Sequence, residues 1–577
     1  MTSTGTVPVA KSGLGTAILI AAAAFLFFAA LTPAMQLWDR DETYYARTAL
    51  EMLRTGDWLL PRFNGTVFAH KPPLMFWFIA ESVSIFGENE FAYRLPSVLG
   101  QTLTLLFTFL IGRRLFSARV GHWSMIILAT ALMPAYLAAS AQIDSLLLAT
   151  IAMSIWCWLA LREASGRGTA LVWTTLLALA VGLMLLAKGP VGPAILSVTI
   201  LCAWIFGPAP ARPTLTEFTG LAAAAVAGIA LFLVWAIPAN AASGGEMLDK
   251  GVGIHILGRA FTPMEGHGGS GVIGYLATLP VYLPVLFIGF IPWAIDLPGV
   301  LASSTSTATG KPAHDRRFAR AVLFGWAGST FILFTLVATK LPHYILPMFP
   351  PIAILLAALH VSRSKAPPHS QFSAGFWSKA TAATLVAMQT GTAIALVALA
   401  FFLPTIAAKL ASATAAVLIM GSLYFFLRLR ANGKFERAHH VAAASMAAFL
   451  AIIYWGVAPE IETFVKPMPA VEAAIAAHQL GELPVYVSGR IEPSVILAID
   501  PPAFEAAKKL ADPQAGIVEL AARGEEAVVL VIQRASKKLH PEQLGNHAKI
   551  VSQQEFFDIN GGGRRSQVQI VHVTDGR

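Results

Sequence analysis

The chain has 577 residues, of which 56% are hydrophobic and 13% are charged, and its mean hydropathy is +0.64. About a quarter of the residues of an average soluble protein are charged, so this composition excludes the soluble globular class and indicates a polytopic α-helical membrane protein. The formal net charge is +9, but the cations fall in short segments between apolar runs, as topology signals do, and we expect no nucleic-acid partner. Two cysteines in apolar runs, Cys157 and Cys202, predict no disulfide framework.

Apolar runs of about 17 to 25 residues predict about 13 transmembrane helices. The first run is longer than the roughly 7 to 15 apolar residues of a signal peptide, which predicts an uncleaved first span. The count depends most on the pairs of runs that almost touch near Lys188 and Pro404. The predicted spans lie near residues 14–36, 95–112, 120–138, 143–161, 169–187, 189–206, 219–240, 272–299, 319–338, 342–361, 378–403, 405–427 and 438–457.

The distribution of Lys and Arg predicts the orientation of the bundle, because cytoplasmic loops carry an excess of cations. Alternate loops hold these cations, which places the N-terminus in the cytoplasm and the segment from about residue 459 outside. Several polar segments then meet at the external end of the bundle, which argues for an outward-facing site. These segments are 38–94, Asp144, Lys188, 241–271 and 340–344.

The first external loop, residues 38–94, has its own internal pattern. Residues 41–54 predict one helix, and the amphipathic segment 74–86 predicts a second that begins after Pro72-Pro73. We expect both helices to lie along the membrane interface rather than across it. Between them, Lys71 stands beside the rigid proline turn at the depth of the lipid headgroups.

Acidic residues open the first of these helices. Asp41 fits either a helix N-cap or a functional carboxylate, and the residue types alone leave both roles open. The neighbouring Asp39 and Glu42 are weaker candidates, because adjacent helical residues point in different directions. Asp144 lies at the outer end of a span beside Gln142, where a carboxylate favours a site over simple solvation.

Several motifs in order resemble a known family. They are Asp41-Glu42-x-x-Tyr45, Gly56-Asp57-Trp58, Lys71-Pro72-Pro73, Lys188-Gly189-Pro190 and the run from Lys340 to Pro347. Together they resemble the protein O-mannosyltransferase superfamily, and within it the bacterial aminoarabinose transferase-like branch. The resemblance implies a GT-C fold over residues 1–458, and transfer of a sugar from a polyprenyl (undecaprenyl) phosphate carrier to an acceptor on the outer face of the bacterial cytoplasmic membrane.

Such a transfer needs a base for the acceptor hydroxyl and cations for the departing lipid phosphate. The family pattern implies that Asp41 is the base and that Asp144 orients the acceptor or helps to bind a metal, with Glu42 as a further catalytic candidate. Direct displacement predicts inversion at the anomeric carbon.

The candidates for binding the substrate phosphate are cations and hydroxyl donors on the same side. Lys71 matches the family's Lys-Pro motif, and Arg259 would share a helical face with His255, four residues earlier. Anchoring to lipid headgroups is the alternative role for such residues at an interface. The candidates are Lys71, Arg259, Tyr344, Tyr45 and Lys340.

The sequence assigns no metal ligand and no organic cofactor. External histidines invite a metal site, but neither His-Glu-x-x-His nor paired-cysteine spacing supports one, so a divalent metal stays open without a ligand motif. The aminoarabinose branch has an acidic residue where this chain has His70, which puts a metal role for that position in doubt. The Gly-rich segment 266–271 predicts a flexible external loop. The external histidines are His70, His255, His267 and His343.

From residue 459 to 577 the pattern changes to that of a small extra-cytoplasmic α/β domain. Runs at 484–487, 527–532 and 567–573 predict strands, and 469–480 and 503–522 predict helices. No nucleophile or metal signature occurs in this region.

The expected partners are a polyprenyl phosphate-sugar donor, an envelope lipid or protein acceptor and membrane lipid, and we expect a monomer. A lipid A-like or other envelope glycolipid is the preferred acceptor, with a protein O-glycosyltransferase as the alternative. From another class, a polyprenyl-lipid transporter would place polar groups at mid-membrane and often show an internal repeat, and neither is visible here. A non-catalytic scaffold would need no ordered pattern of acids and cations.

Overall fold

A computed structural model gives the structure of this chain. It describes residues 13–38, 41–208, 213–263, 269, 271–302, 313–364, 376–466, 468–481, 483–489, 494, 497, 508–534, 537, 539–544, 548–558 and 564–574. Asp39, His267 and most of the segment 266–271 lie outside these residues, so the predictions for them have no structural outcome.

Most of the described chain is helical up to residue 465. The helices before the C-terminal domain are α1 (Leu14–Leu31), α2 (Asp41–Thr55), α3 (Leu74–Phe86), α4 (Glu90–Leu115), α5 (Ala118–Ala129), α6 (Leu132–Ala138), α7 (Ile143–Arg162), α8 (Arg167–Lys188), α9 (Val191–Phe206), α10 (Leu215–Ala242), α11 (Glu246–Leu248), α12 (Arg259–Phe261), α13 (Gly271–Thr278), α14 (Tyr282–Gly289), α15 (Leu297–Ala302), α16 (Ala313–Leu336), α17 (Phe349–Arg363), α18 (Phe376–Phe402), α19 (Ile406–Ala431), α20 (Phe435–Ile452) and α21 (Ala458–Val465).

Eleven helical segments among the described residues are long and apolar enough to cross a membrane, and each coincides with a predicted span. A twelfth predicted span is the pair α5 and α6, which meet at a bend of 70°. The thirteenth is α9, a shorter apolar helix of 16 residues. The polytopic helical architecture is therefore confirmed, and the count of 13 depends on these two segments.

In the 38–94 loop, α2 and α3 form at the predicted positions, on either side of a small hairpin. Strands β1 (Arg62–Phe63) and β2 (Thr66–Val67) pair in antiparallel fashion around Asn64-Gly65. Both turn residues have positive φ angles, 50° and 75°, as a type I′ turn requires, and Asn-Gly suits that turn best. The carboxylate of Glu51 accepts the N–H groups of both turn residues, at 2.6 and 3.1 Å, and ties the hairpin to α2.

Helix α7 is one of the two most enclosed spans among the described helices. It packs between α4 and α8, and 89% of its apolar window is buried. Gly100 of α4 allows the close approach, because a Cβ there would meet the backbone of Ser145 at 2.9 Å. Asp144, in the first turn of α7, is therefore held on a rigid element.

A second buried carboxylate lies at the other end of the bundle. Asp296 precedes α15 and accepts two hydrogen bonds from Arg430, at 2.7 and 2.9 Å, and one from Arg363, at 2.6 Å. His439 Nε2 lies 3.3 Å from the same carboxylate. Burial would raise the pKa of Asp296, but the guanidinium of Arg430 and the other partners hold it well below its ordinary value.

The C-terminal domain is a five-stranded mixed sheet with helices. Its sheet order is β4-β3-β5-β7-β6, with β3 parallel to β4 and β5, and β7 antiparallel to β5 and β6. The three predicted strands are present, whereas 508–510 is a strand inside a predicted helix, and β6 was not predicted. The elements are α22 (Met468–Ala477), β3 (Val485–Gly489), β4 (Lys508–Leu510), α23 (Pro513–Ala522), β5 (Ala527–Arg534), β6 (Ala548–Asp558) and β7 (Arg564–Val573).

Candidate active site

The start of α2 is fixed by a buried ion pair. The guanidinium of Arg94, on α4, donates to both oxygens of Glu42, each at 2.9 Å. The same carboxylate accepts the backbone N–H groups of Trp38 and Ala141. Arg94 also donates to the carbonyls of Thr32, Met35 and Gln36.

These contacts give Glu42 an anchoring position, and the structure does not bring it into the candidate site. Its carboxylate is 1% exposed and already accepts four hydrogen bonds. Burial would raise the pKa of Glu42, but the charge of Arg94 and the four donors lower it below the ordinary value, so the group stays ionised. A carboxylate held in this way is a poor general base.

The linker before Asp41 is also held from the far end of the chain. Lys466 Nζ donates to the carbonyl of Gln36 at 2.8 Å and lies 4.5 Å from the centre of the Trp38 ring. The carboxylate of Glu462 accepts the N–H of Gln36 and pairs with Lys466. The last membrane helix therefore helps to set the position of α2.

Asp41 lies in the first turn of α2 and, in the part of the chain that the structure describes, has fewer hydrogen-bond partners than Glu42. Within the described residues it has one hydrogen bond, from the Tyr45 hydroxyl at 3.5 Å, and no ion pair. The side chain is partly exposed. Burial, followed by the negative charge of Asp41, raises the pKa of Tyr45 well above its ordinary value, so the tyrosine remains a neutral donor.

Asp144 is placed beside Lys188, which the sequence predicted at the same end of the bundle without giving it a role. Lys188, at the end of α8, approaches one carboxylate oxygen to 2.6 Å, and His343 Nε2 lies 3.8 Å from the other. Asp144 is 3% exposed. Because Lys188 neutralises it, Asp144 is better placed to orient that cation than to accept a proton.

Arg259 and Tyr344 meet directly. The guanidinium of Arg259 donates to the Tyr344 hydroxyl at 3.1 Å, and Lys188 Nζ lies 4.8 Å from the centre of the Tyr344 ring. The segment Asp249–Gly258, which precedes α12, is a wide helix with i→i+5 hydrogen bonding. Within this segment the centre of the His255 ring lies 4.0 Å from that of the His70 ring.

Lys71 lies among these charges. Burial, followed by the positive charges of Lys188 and Arg259, lowers its pKa to about 8 against the opposing effect of Asp41 and Asp144. All four groups are therefore close enough to act on one ammonium. The structure thus brings together the predicted residues Asp41, Tyr45, Lys71, Asp144, Arg259 and Tyr344, and adds Lys188 to them.

Lys340 does not point to the same cluster but to the end of a helix. Its ammonium donates to the carbonyls of Phe334, Thr335 and Val337 at the C-terminal end of α16. Three carbonyls use all three donors of a lysine. The contacts therefore place Lys340 as a cap of the helix end, where a cation also complements the helix dipole, and not among the groups available to a phosphate.

The histidines near the site stack rather than converge on a point. The His70 ring stacks on Phe68 with centroids 4.3 Å apart, and burial together with the charge of His255 lowers the pKa of His70 to about 3. Across the part of the chain that the structure describes, no three His, Cys, Asp or Glu side chains are placed to hold a metal ion.

Known proteins are similar in sequence to part of this chain. The sequence profile of the dolichyl-phosphate-mannose-protein mannosyltransferase family matches residues 70–237. The undecaprenyl phosphate-alpha-4-amino-4-deoxy-L-arabinose arabinosyl transferase of Edwardsiella ictaluri is 32% identical over 335 residues, which is 58% of this chain and 57% of that protein. The enzyme of the same name from Pseudomonas aeruginosa is 30% identical over 337 residues, 57% of this chain and 56% of that protein. The alignments thus span a little more than half the length of these relatives.

The solved structures extend the likeness to the whole chain. The crystal structure of ArnT from Cupriavidus metallidurans bound to undecaprenyl phosphate matches with a TM-score of 0.72 at 20% identity, over 96% of this chain and 98% of that chain. The apo structure of the same protein gives a TM-score of 0.70. These structural matches confirm the GT-C fold, and the sequence relatives confirm the resemblance to the aminoarabinose transferase-like branch.

Proposed function

We propose that this chain is an integral-membrane glycosyltransferase that moves a sugar from a polyprenyl phosphate carrier to an envelope acceptor. The observation that carries the proposal is the meeting of Asp41, a carboxylate without an ion pair among the described residues, with the cations Lys71, Lys188 and Arg259. The undecaprenyl phosphate named in the arabinosyl transferases and in the solved ArnT complex supports a polyprenyl phosphate donor.

The reaction divides the site into two halves. As the acceptor hydroxyl attacks the anomeric carbon, Asp41 takes its proton, and the bond between that carbon and the phosphate oxygen breaks. Lys71, Arg259 and the Tyr344 hydroxyl hold the charge that develops on the departing phosphate. A single displacement of this kind inverts the anomeric configuration. Tyr45, which donates to Asp41, keeps the base oriented.

We further propose that the site opens to the outer face of the bacterial cytoplasmic membrane. Support comes from the Lys- and Arg-rich loops at the opposite end of the helices. A lipid A-like or other envelope glycolipid is the proposed acceptor, by analogy with the aminoarabinose relatives, and the enzyme is proposed to act as a monomer.

The test is transfer by the purified protein in proteoliposomes. The donors are undecaprenyl phosphate-linked aminoarabinose and other undecaprenyl phosphate-linked sugars, and the acceptors are lipid A and a peptide rich in Ser and Thr. We expect a glycosylated lipid by mass spectrometry, with inverted linkage by nuclear magnetic resonance. A glycosylated peptide would instead identify the protein O-glycosyltransferase.

A matched pair of variants makes the result specific. Asp41→Asn should slow transfer by about 10²- to 10⁴-fold, whereas Asp249→Asn, at an exposed position of the 241–271 loop, should leave it unchanged. If both variants moved the labelled donor across the bilayer equally well and neither formed a product, the protein would be a transporter and the proposed transferase activity would be refuted.

A further inference from the structure

A lipid-facing groove runs between α9 and α16, away from the candidate site. Its volume is about 600 Å³, within the range of ligand pockets. The helices touch at Gly325, where a Cβ would meet Cys202 at 2.7 Å. Three residues further on, a Cβ on Gly328 would meet nothing within 4 Å, so the surface between the helices is open there.

One end of this groove is cationic. Arg316, Arg317 and Arg320, in the first turns of α16, all line it. Arg317 Nε donates to the carbonyl of Phe206 at the end of α9, and the Arg320 guanidinium lies 5.6 Å from the centre of the Phe324 ring. No carboxylate occurs among the described lining residues.

The rest of the groove is apolar and faces outward from the bundle. Val198, Phe206 and Ile332 line it and are 42%, 61% and 60% exposed. On membrane-spanning helices, such side chains contact lipid chains. An apolar channel with a cluster of arginines at one end matches the shape and charge of a phospholipid with a negative headgroup.

The groove is distinct from the candidate active site. Phe334, near the C-terminal end of α16, packs its ring 5.0 Å from that of Tyr344, whereas the arginines are at the N-terminal end. The 24 residues of α16 correspond to about 36 Å at about 1.5 Å per residue. A phosphate held by the arginines would therefore lie at the opposite membrane surface.

We propose that this groove binds one anionic phospholipid, with its phosphate on Arg316, Arg317 and Arg320 and an acyl chain over Gly325 and Gly328. The placement in the cytoplasmic leaflet rests on the orientation proposed above. The bound lipid fills the gap that opens between α9 and α16 beyond their contact at Gly325, and forms a fixed part of the bundle surface.

Native mass spectrometry of the detergent-purified full chain tests the proposal. The protein is titrated separately with phosphatidylglycerol, phosphatidylethanolamine and undecaprenyl phosphate. We expect wild type to prefer phosphatidylglycerol over phosphatidylethanolamine. Because each arginine near a lipid phosphate contributes roughly fivefold to affinity, Arg316→Gln with Arg320→Gln should weaken phosphatidylglycerol binding roughly 10- to 30-fold.

Two further variants separate the groove from general surface charge. Gly328→Leu, which fills the open space, should reduce phosphatidylglycerol occupancy while all arginines remain, and Gly328→Ala serves if the larger side chain prevents folding. Arg428→Gln with Arg437→Gln, two exposed arginines on the cytoplasmic side, should bind as wild type does.

Equal phosphatidylglycerol binding by wild type and the Arg316→Gln, Arg320→Gln variant would overturn the proposal. Retention of undecaprenyl phosphate in place of phosphatidylglycerol, lost in the same variant, would overturn the choice of lipid. Neither result depends on sugar transfer, so failure here and failure of the proposed transferase activity are distinguishable.

Discussion

Two clusters around carboxylates lie at opposite ends of this helical bundle, and they differ in how many hydrogen bonds the carboxylate accepts. Asp296 accepts from Arg430 and Arg363 and has His439 beside it. Asp41 has a single hydrogen bond, from Tyr45, within the described chain. A carboxylate saturated with donors is fixed and weakly basic, whereas one with a free side can accept a proton from a substrate. The contrast separates a structural acid from a proposed catalytic one.

The same contrast holds between adjacent residues. Glu42 is held by Arg94 and two backbone N–H groups, while Asp41, one position earlier, is close enough for its charge to act on Lys71. The contacts of Glu42 therefore help to position Asp41.

Replacing Asp41 by Asn should produce the largest effect on function. Loss of a general base typically costs about 10²- to 10⁴-fold in rate, and the fold should persist because Asp41 has no ion pair among the described residues. The measurement is the initial rate of transfer in proteoliposomes alongside the melting temperature. A variant that transfers sugar at the wild-type rate would remove Asp41 as the base.

Replacing Arg430 by Leu should test the satisfied cluster. Removing one partner of a buried ion pair typically costs about 3 to 5 kcal/mol, so the melting temperature should fall while the transfer rate per folded molecule stays near that of wild type. Arg428→Leu, an exposed neighbour on α19 whose hydrogen bond goes to Tyr424, is the control. A stable but inactive Arg430→Leu protein would place that cluster in the reaction.

Replacing Lys71 by Met should weaken donor binding more than it weakens folding. A hydrogen bond to a charged group contributes about 1.5 to 3 kcal/mol, which corresponds to roughly a 10- to 100-fold higher Kd for the polyprenyl phosphate. Calorimetric titration in detergent measures it. Lys250→Met, an exposed lysine of the 241–271 loop, should bind the donor as wild type does, and equal affinity in both variants would exclude Lys71 from the phosphate site.

Donor affinity should also depend on pH through Lys71. Its pKa in the free protein is lowered to about 8, so the ammonium that attracts the phosphate is present below that pH and is lost as the pH rises through it. Affinity should therefore fall above about pH 8 in wild type and change less in Lys71→Met. His70, with its pKa lowered to about 3, should add no step near neutral pH. Identical profiles of wild type and Lys71→Met would refute this origin.

The smallest effect is expected at Lys340. Because its ammonium caps the end of α16, Lys340→Met should lower the free energy of unfolding by about 1 kcal/mol and leave donor affinity unchanged. Thermal unfolding and the same titration measure both. A weaker donor affinity at unchanged stability would return Lys340 to the phosphate-binding group.

Hydropathy and the family motifs predicted much of this arrangement. Periodicity and proline positions gave α2 and α3 within one residue of their ends, and the cation distribution predicted that Asp41, Asp144, Arg259 and Tyr344 would meet. These features depend on local sequence or on which end of a span a residue occupies, and both are visible in a single chain.

Contacts between distant side chains were not predictable in this way. Sequence patterns gave no sign that Glu42 is paired with Arg94, because the two residues are 52 positions apart and nothing in the local pattern links them. Lys188, in its Lys-Gly-Pro motif at the end of a span, offered a usable signal for a site residue. The wide helical turns before Arg259 were also not predictable, since propensities do not distinguish them from ordinary helix.

The hydrogen bond from Lys466 to the carbonyl of Gln36 has a consequence for biosynthesis. These residues are 430 positions apart, so the linker that leads into α2 receives this support only after the last membrane helix has been inserted. A nascent chain in which α2 has already been synthesised would still lack this support. Synthesis of the final helix is therefore the step that completes the support of the linker before α2.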